Sequence, residues 1–279
     1  ITEGVTVLFL ADSDDTVGGD ESYDAELLVN GTLTVLGTAE SPVTFTSSER
    51  NPTVGQWGGI KIDGDNNVAN ASFQHATIEY SGYGIHGYKL ISNESLTIAN
   101  STIRNNGRGI RNSGGYSGST VSITNSLIVD NYGYGISGSD DYDHWTIAGN
   151  TITGNGESGI YLSGQRSSAT VSDNVISDNV ISDNGSPGVK IEYVHDDFVF
   201  SGNTVSNNSG YGLAYQNGYS PSESYATDSI TVTDNTIIGN GNDGIYIYDQ
   251  GNADAVITGN TITDGGDDGI YVVNTSTNV

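Results

Sequence analysis

NTITGNGESGIYLSG (Asn150–Gly164) carries only isolated apolar residues, Ile152, Ile160 and Leu162, set among Asn150, Asn155, Gly156 and Gly159. No apolar run here reaches helical length, so the stretch reads as short strands separated by turns. The same arrangement recurs along the chain as Gly–apolar pairs: Gly59-Ile60, Gly84-Ile85, Gly109-Ile110, Gly135-Ile136, Gly159-Ile160, Gly188-Val189, Gly212-Leu213, Gly244-Ile245 and Gly269-Ile270. Their apolar members are 25, 25, 26, 24, 29, 24, 32 and 25 residues apart. Five residues before most of them stands an Asn (Asn105, Asn131, Asn155, Asn184, Asn208, Asn240), and five further back there is often another (Asn100, Asn150, Asn179, Asn203, Asn235). The long interval of 29 contains NVISDNVISDN (Asn174–Asn184), a five-residue duplication.

A period near 25 residues with three short apolar segments implies a solenoid in which each repeat is one coil. In TVTDNTIIGNGNDGIYIYD (Thr231–Asp249), alternation along a strand turns Ile245 and Ile247 inward and Tyr246 and Tyr248 outward. Val232 and Ile237 are the expected core residues of the two preceding strands. Asn tolerates left-handed backbone angles, and its amide can bond to an amide one coil away, so the Asn positions are expected to form a structural ladder. The expected fold is all-β: a right-handed parallel β-helix of about ten coils. It occupies residues 1–279 as a single domain, with opening coils at 1–57 that include an acidic loop at 11–24, and regular coils at 58–279.

Composition excludes several functions. Lys+Arg total 8 against 34 Asp+Glu, a formal charge of −26, so no basic stripe is available for nucleic acid or an anionic membrane surface. There is no apolar run of the length a membrane helix requires. With no Cys there is no disulfide, thiolate metal site or Cys nucleophile. Absence of Cys and Met, with strong acidity, suits an extracellular or cell-surface setting.

The pattern resembles the right-handed parallel β-helix repeats of the pectin-lyase-like superfamily. LLVNGTLTVLGTAESPVTFTSSERNPTVGQWGGIKIDG (Leu27–Gly64) is similar to the opening coils of β-helix modules in large secreted and cell-surface proteins. That resemblance implies the fold; the functions hosted by it range from lyases and hydrolases to adhesins and inert scaffold. Enzymes of this kind generally begin with a capping helix, and no amphipathic helical segment precedes Val5. The GHG and RIK motifs of β-helix pectin hydrolases are absent, and GDD at Gly266–Asp268 stands without them. Open coil edges at both ends would pair with copies of the chain or with neighbouring coils of a longer one.

Chemistry is expected in the variable loops, SGSDDYDHW (Ser137–Trp145), SGQRSS (Ser163–Ser168) and EYVHDDF (Glu192–Phe198), which should emerge along one side of the rod. Coil spacing would place Asp140, Asp141, Asp143 and His144 about 10 Å from His195, Asp196 and Asp197, with Arg166 between and Lys190 nearby. Asp140, Asp141, Asp196 and Asp197 offer hard oxygen ligands for calcium, although the fold itself requires no cofactor. Arg166, Lys190 or His195 would then serve as base in a lyase, or paired carboxylates would act as acid and base in glycoside hydrolysis. The competing reading is a set of solvated loops on a very acidic protein. Tyr161, Tyr246, Tyr248 and Tyr271 form an outward stripe suited to stacking on sugar rings or on a neighbouring chain. The sequence therefore favours an extracellular structural rod in a filament, sheath, surface layer or adhesin. A polysaccharide-active enzyme and a non-catalytic glycan-binding module are the alternatives.

Overall fold

A computed structural model describes residues 1–279 apart from 12, 14–23, 66–67, 116–117, 140–142, 165–167, 173–174, 178–185, 194–196, 218–228, 250–253, 274–275 and 279, with backbone alone at 168–172, 175–177 and 276–278. The strands form three parallel sheets, each of ten strands, and the chain visits the sheets in strict rotation. The first sheet begins with Thr6–Phe9, the second with Glu26–Val29 and the third with Thr32–Leu36. Every pairing is between successive coils, so each sheet runs along the axis of the rod. This is the parallel β-helix anticipated from the repeat.

The Gly–apolar pairs set the register of the second sheet. Ile60 opposes Ile85, then follow Ile110, Ile136, Ile160, Val189, Leu213, Ile245 and Ile270, each the direct partner of the one before. From Ile60 to Ile245 this column is fully buried. Each such side chain removed from water stabilises the fold by about 1.5–3 kcal/mol, and every added coil contributes again. The predicted core residues Val232, Ile237, Ile245 and Ile247 are all fully buried.

At Gly59, Gly84, Gly109, Gly135, Gly188, Gly212 and Gly244 the glycine preceding the apolar residue is a steric requirement of the corner, whereas Gly269 in the last coil faces open space. A Cβ at Gly212 would stand 2.6 Å from the carbonyl oxygen of Gly244 and 2.6 Å from a methyl of Ile237. The neighbouring coil occupies the space that any side chain would need.

The asparagine ladder is present, with a correction in its register. Asn131 donates its side-chain amide to Asn155 Oδ1 at 2.9 Å and accepts from Asn106, both backbone and side chain, at 3.1 Å. Asn208 and Asn240 repeat the contact at 3.0 Å. The member in the fourth coil is therefore Asn106, not Asn105. Asn105 instead takes the left-handed backbone angle just before it, φ 54°. The same two-residue device recurs: a left-handed Asn, Asp or Gly, then a buried ladder residue. It appears as Asp130-Asn131, Gly154-Asn155, Asn207-Asn208 and Gly239-Asn240. At the other turn, Asn100 and Asn125 are left-handed, and serines continue the ladder: Ser101 accepts from Ala76 N, and Ser126 N donates to Asn150. His75, at φ 48°, occupies this turn position too.

Candidate functional site

The outward face of the second sheet follows from the same alternation that buries its isoleucines. One outward column runs Lys61, His86, Arg111, Ser137, Tyr161, Lys190, Ala214, Tyr246 and Tyr271. A second, two residues on, includes Tyr88, Glu192, Gln216 and Tyr248. On the other flank, before the glycine corner, lie Tyr83, Arg108, Tyr134 and Tyr211. Rings from the corner meet rings from the strands: Tyr134 stacks on Tyr161 at 5.1 Å, Tyr211 leans on Tyr246 at 5.0 Å, and Tyr246 stacks on Tyr271 at 5.7 Å. Cations lie against the same rings, with Lys61 Nζ 4.3 Å from the Tyr88 centroid and Lys190 Nζ 5.4 Å from that of Tyr161. A groove of about 280 Å³ is lined by Glu192, Tyr193, Gln216, Tyr246 and Tyr248.

These tyrosines are donors and stacking platforms rather than bases. Burial, then the hydrogen bond and charge of Glu192, push Tyr161 up to about 12, and its hydroxyl donates to Glu192 Oε2 at 2.7 Å. Burial also raises Tyr134, with the charge and hydrogen bond of Glu157 adding to it, and burial raises Tyr246. All three remain protonated at physiological pH and above it. Glu192 also holds Lys190 Nζ at 2.8 Å, so the carboxylate ties a tyrosine and a lysine into one fixed surface.

Tyr161, Tyr246 and Tyr271 share one column, and Tyr248 lies in the next. The other sequence candidates do not form one cluster. Lys190 is on the second sheet, whereas His144 is exposed on the third, opposite Thr120 and Ser168. Asp197 is exposed and accepts a hydrogen bond from Ser229 at 2.6 Å. Asp143 was expected in a solvated loop, and there the structure corrects the sequence. It is fully buried and accepts from Asn112 Nδ2 at 2.7 Å, Ser119 N at 3.0 Å and Ser119 Oγ at 2.8 Å. Its oxygens tie Asn112 and Ser119 of the preceding coil to the start of the strand His144–Ala148. Asp140, Asp141, Arg166, His195 and Asp196, the remaining catalytic and calcium candidates, lie outside the described residues, as does most of the acidic loop at 11–24.

Sequence reasoning missed Tyr83, Arg108, Arg111, Tyr134 and Tyr211 on this face. It also missed Asp243, which lies 25 residues before Asp268 and in the same place ahead of its Gly–Ile pair. Carboxylate oxygens of Asp243, Asp267 and Asp268 lie within 4.8 Å of one another. Asp243 is 6% exposed and accepts the Asp268 backbone N–H at 2.8 Å, as the ladder asparagines do. Burial raises its pKa above 3.8, and the charges of Asp267 and Asp268 add to the rise. A carboxyl whose folded pKa is raised destabilises the fold once ionised, so stability falls as pH climbs from 3.8 through the folded value. Asp243→Asn keeps the acceptor and removes the charge. Its melting temperature is expected to exceed wild type at pH 7 and to match it at low pH, as differential scanning calorimetry at both pH values would show.

The family model described as "Right handed beta helix region" matches residues 58–227 and 215–279. The chain belongs to the right-handed β-helix family. No curated protein matches this β-helix. Solved structures similar to it include the catalytic domain of a GH87 alpha-1,3-glucanase in complex with tetrasaccharides, at 11% identity and TM-score 0.39, covering 100% of this chain and 63% of that one. A second is the same catalytic domain in complex with nigerose, at 12% identity and TM-score 0.29, covering 99% of this chain and 64% of that one. The β-helix thus spans less than two thirds of the length of either.

Proposed function

We propose that this β-helix is an extracellular rod that binds an extended polysaccharide along the outward face of its second sheet. The observation that carries this reading is the aromatic column. Tyr246 and Tyr271 stack in register from consecutive coils beside Tyr211, and the groove at Tyr246 and Tyr248 is edged by the polar groups of Glu192 and Gln216. Apolar ring faces with nearby donors and acceptors match the mixed apolar and hydroxylated surface of sugar rings. The coil repeat gives the face its length, so several sugar units are held by similar contacts and weak single contacts add. A rod in a surface layer or adhesin and a glycan-binding face are then one molecule: the solenoid supplies reach and the tyrosines supply attachment.

Isothermal titration calorimetry against a panel of neutral and acidic polysaccharides tests this. Tyr246→Ala is expected to weaken binding about tenfold, the loss typical of an aromatic anchor. Binding unchanged by Tyr246→Ala and Tyr271→Ala together would remove the face from consideration. Reducing ends and unsaturated sugars are scored in the same samples. Release of either would make the face a substrate cleft rather than a holding surface.

A further inference from the structure

Charge is sorted on this protein. The chain carries 34 acidic residues against 8 basic ones, and most described cations near a sheet face are matched to a carboxylate. Lys89 meets Asp65 at 2.7 Å, Arg104 meets Glu79 at 2.8 Å and Lys190 meets Glu192 at 2.8 Å. Arg108 and Arg111 differ. Among the described residues, neither has a carboxylate at ion-pair distance. Both guanidinium groups instead approach one ring, with Arg108 Cζ 5.7 Å and Arg111 Cζ 5.8 Å from the Tyr83 centroid. Arg111 Nη1 lies 3.5 Å from the Tyr83 hydroxyl, and Arg108 Cζ is also 5.9 Å from the Tyr134 centroid. One strand, Arg108–Ser113, carries both arginines, and His86 stacks on Tyr83 at 5.4 Å.

Among the described residues these two guanidinium groups meet rings rather than carboxylates, which leaves their charge open to an external anion. Each has five N–H donors in a planar fork that fits a two-oxygen edge, and the ring beneath fixes the fork while using few of its donors. We propose that Arg108, Arg111 and Tyr83 form an anion subsite of the glycan face, selecting a polysaccharide that carries carboxylate or sulfate groups. This rests on the glycan-binding reading above and names the substrate class within it. The anionic group sits against the arginines, and the chain continues along the column toward Tyr161 and Tyr246. A polyanion is repelled by a rod of charge −26, so a local cationic seat is what makes its binding favourable at all.

The test uses the full chain and three probes, polygalacturonate, a sulfated galactan and a neutral glucan, titrated at physiological ionic strength. One anionic probe is expected to bind at least about tenfold more tightly than the neutral one, in line with a charge-assisted contact. Tighter binding of polygalacturonate assigns a carboxylate, and of the galactan a sulfate. The double variant Arg108→Gln, Arg111→Gln is expected to lose that preference, its affinity for the anionic probe falling to that for the neutral glucan. Arg111→Lys, which keeps the charge and loses the fork, falls between. Melting curves of each variant confirm folding, and Arg111→Lys alone still decides the matter if the double variant does not fold. Equal affinity for neutral and anionic probes, or a preference untouched by the arginine variants, overturns the subsite and leaves the glycan face standing. Binding of none of the probes overturns both.

Discussion

Replacing Asn131 with Ala is expected to destabilise the rod by about 3 kcal/mol, because four side-chain hydrogen bonds are lost at a buried site where a polar group left unpaired costs about 1–3 kcal/mol. Asn131 is 1% exposed and lies in the middle of a ladder. Its Oδ1 accepts from the Asn106 backbone at 3.1 Å, and its Nδ2 donates to the Ile103 carbonyl at 3.2 Å. Alanine removes both, and with them the contacts to Asn106 Nδ2 and Asn155 Oδ1, at a corner packed by adjacent coils. The melting temperature falls by roughly 6–12 °C at about 2–4 °C per kcal/mol for a chain of this size. Asn131→Asp retains the acceptor but cannot donate to Ile103 or Asn155, so it is expected to be at least as damaging. Thermal melting followed by circular dichroism checks both variants. A shift of about 1 °C or less would contradict the structural role given to the ladder.

Gly212→Ala is expected to be comparably harmful for a different reason. Its new methyl would stand 2.6 Å from the Gly244 carbonyl oxygen and 3.1 Å from Asn240 Nδ2, so it meets backbone and a ladder amide rather than a yielding side chain. Overpacking of this kind costs about 1–3 kcal/mol, and rigid backbone contact puts Gly212 at the upper end. In a solenoid such damage opens the coils around it before the rest, since each repeat depends on its neighbours. Hydrogen exchange should therefore rise first in Leu213–Asn217 and Ile245–Asp249. Uniform exchange across all coils would contradict the nearest-neighbour account.

The fold was legible because its signal is translational. Ile60, Ile85, Ile110 and the residues that follow recur at the spacing at which they pair, so counting along the chain amounts to counting coils. The ladder was legible to within one residue. Asn serves both as the left-handed turn residue and as the buried partner, so Asn105 and Asn106 cannot be told apart by type. The interval of 26 between Ile110 and Ile136 is where the extra residue enters.

The candidate site was legible only in part. Tyr161, Tyr246 and Tyr271 were found because each follows an isoleucine of the Gly–apolar column, and alternation sends it outward. Tyr83, Arg108 and Tyr211 precede the glycine corner, where alternation breaks, so their direction had no signal in the sequence. Asp143 was misplaced because its side chain fills a packing deficit in the core. The inner column of the second sheet holds Gly87, Asn112 and Gly138 where other coils carry bulky residues, and Leu90, Trp145 and the Asn112–Asp143 pair fill the gap. Loop residues recruited to a core cannot be recognised by composition alone.

Hydroxyl-radical footprinting of the chain with and without its tightest-binding polysaccharide tests the glycan face most directly. Leu36, 52% exposed on the third sheet, serves as the internal control. The account predicts that Tyr246 and Tyr271 lose reactivity on binding while Leu36 keeps its own. Protection of Leu36 with Tyr246 and Tyr271 unchanged would place the polysaccharide elsewhere on the rod and contradict it.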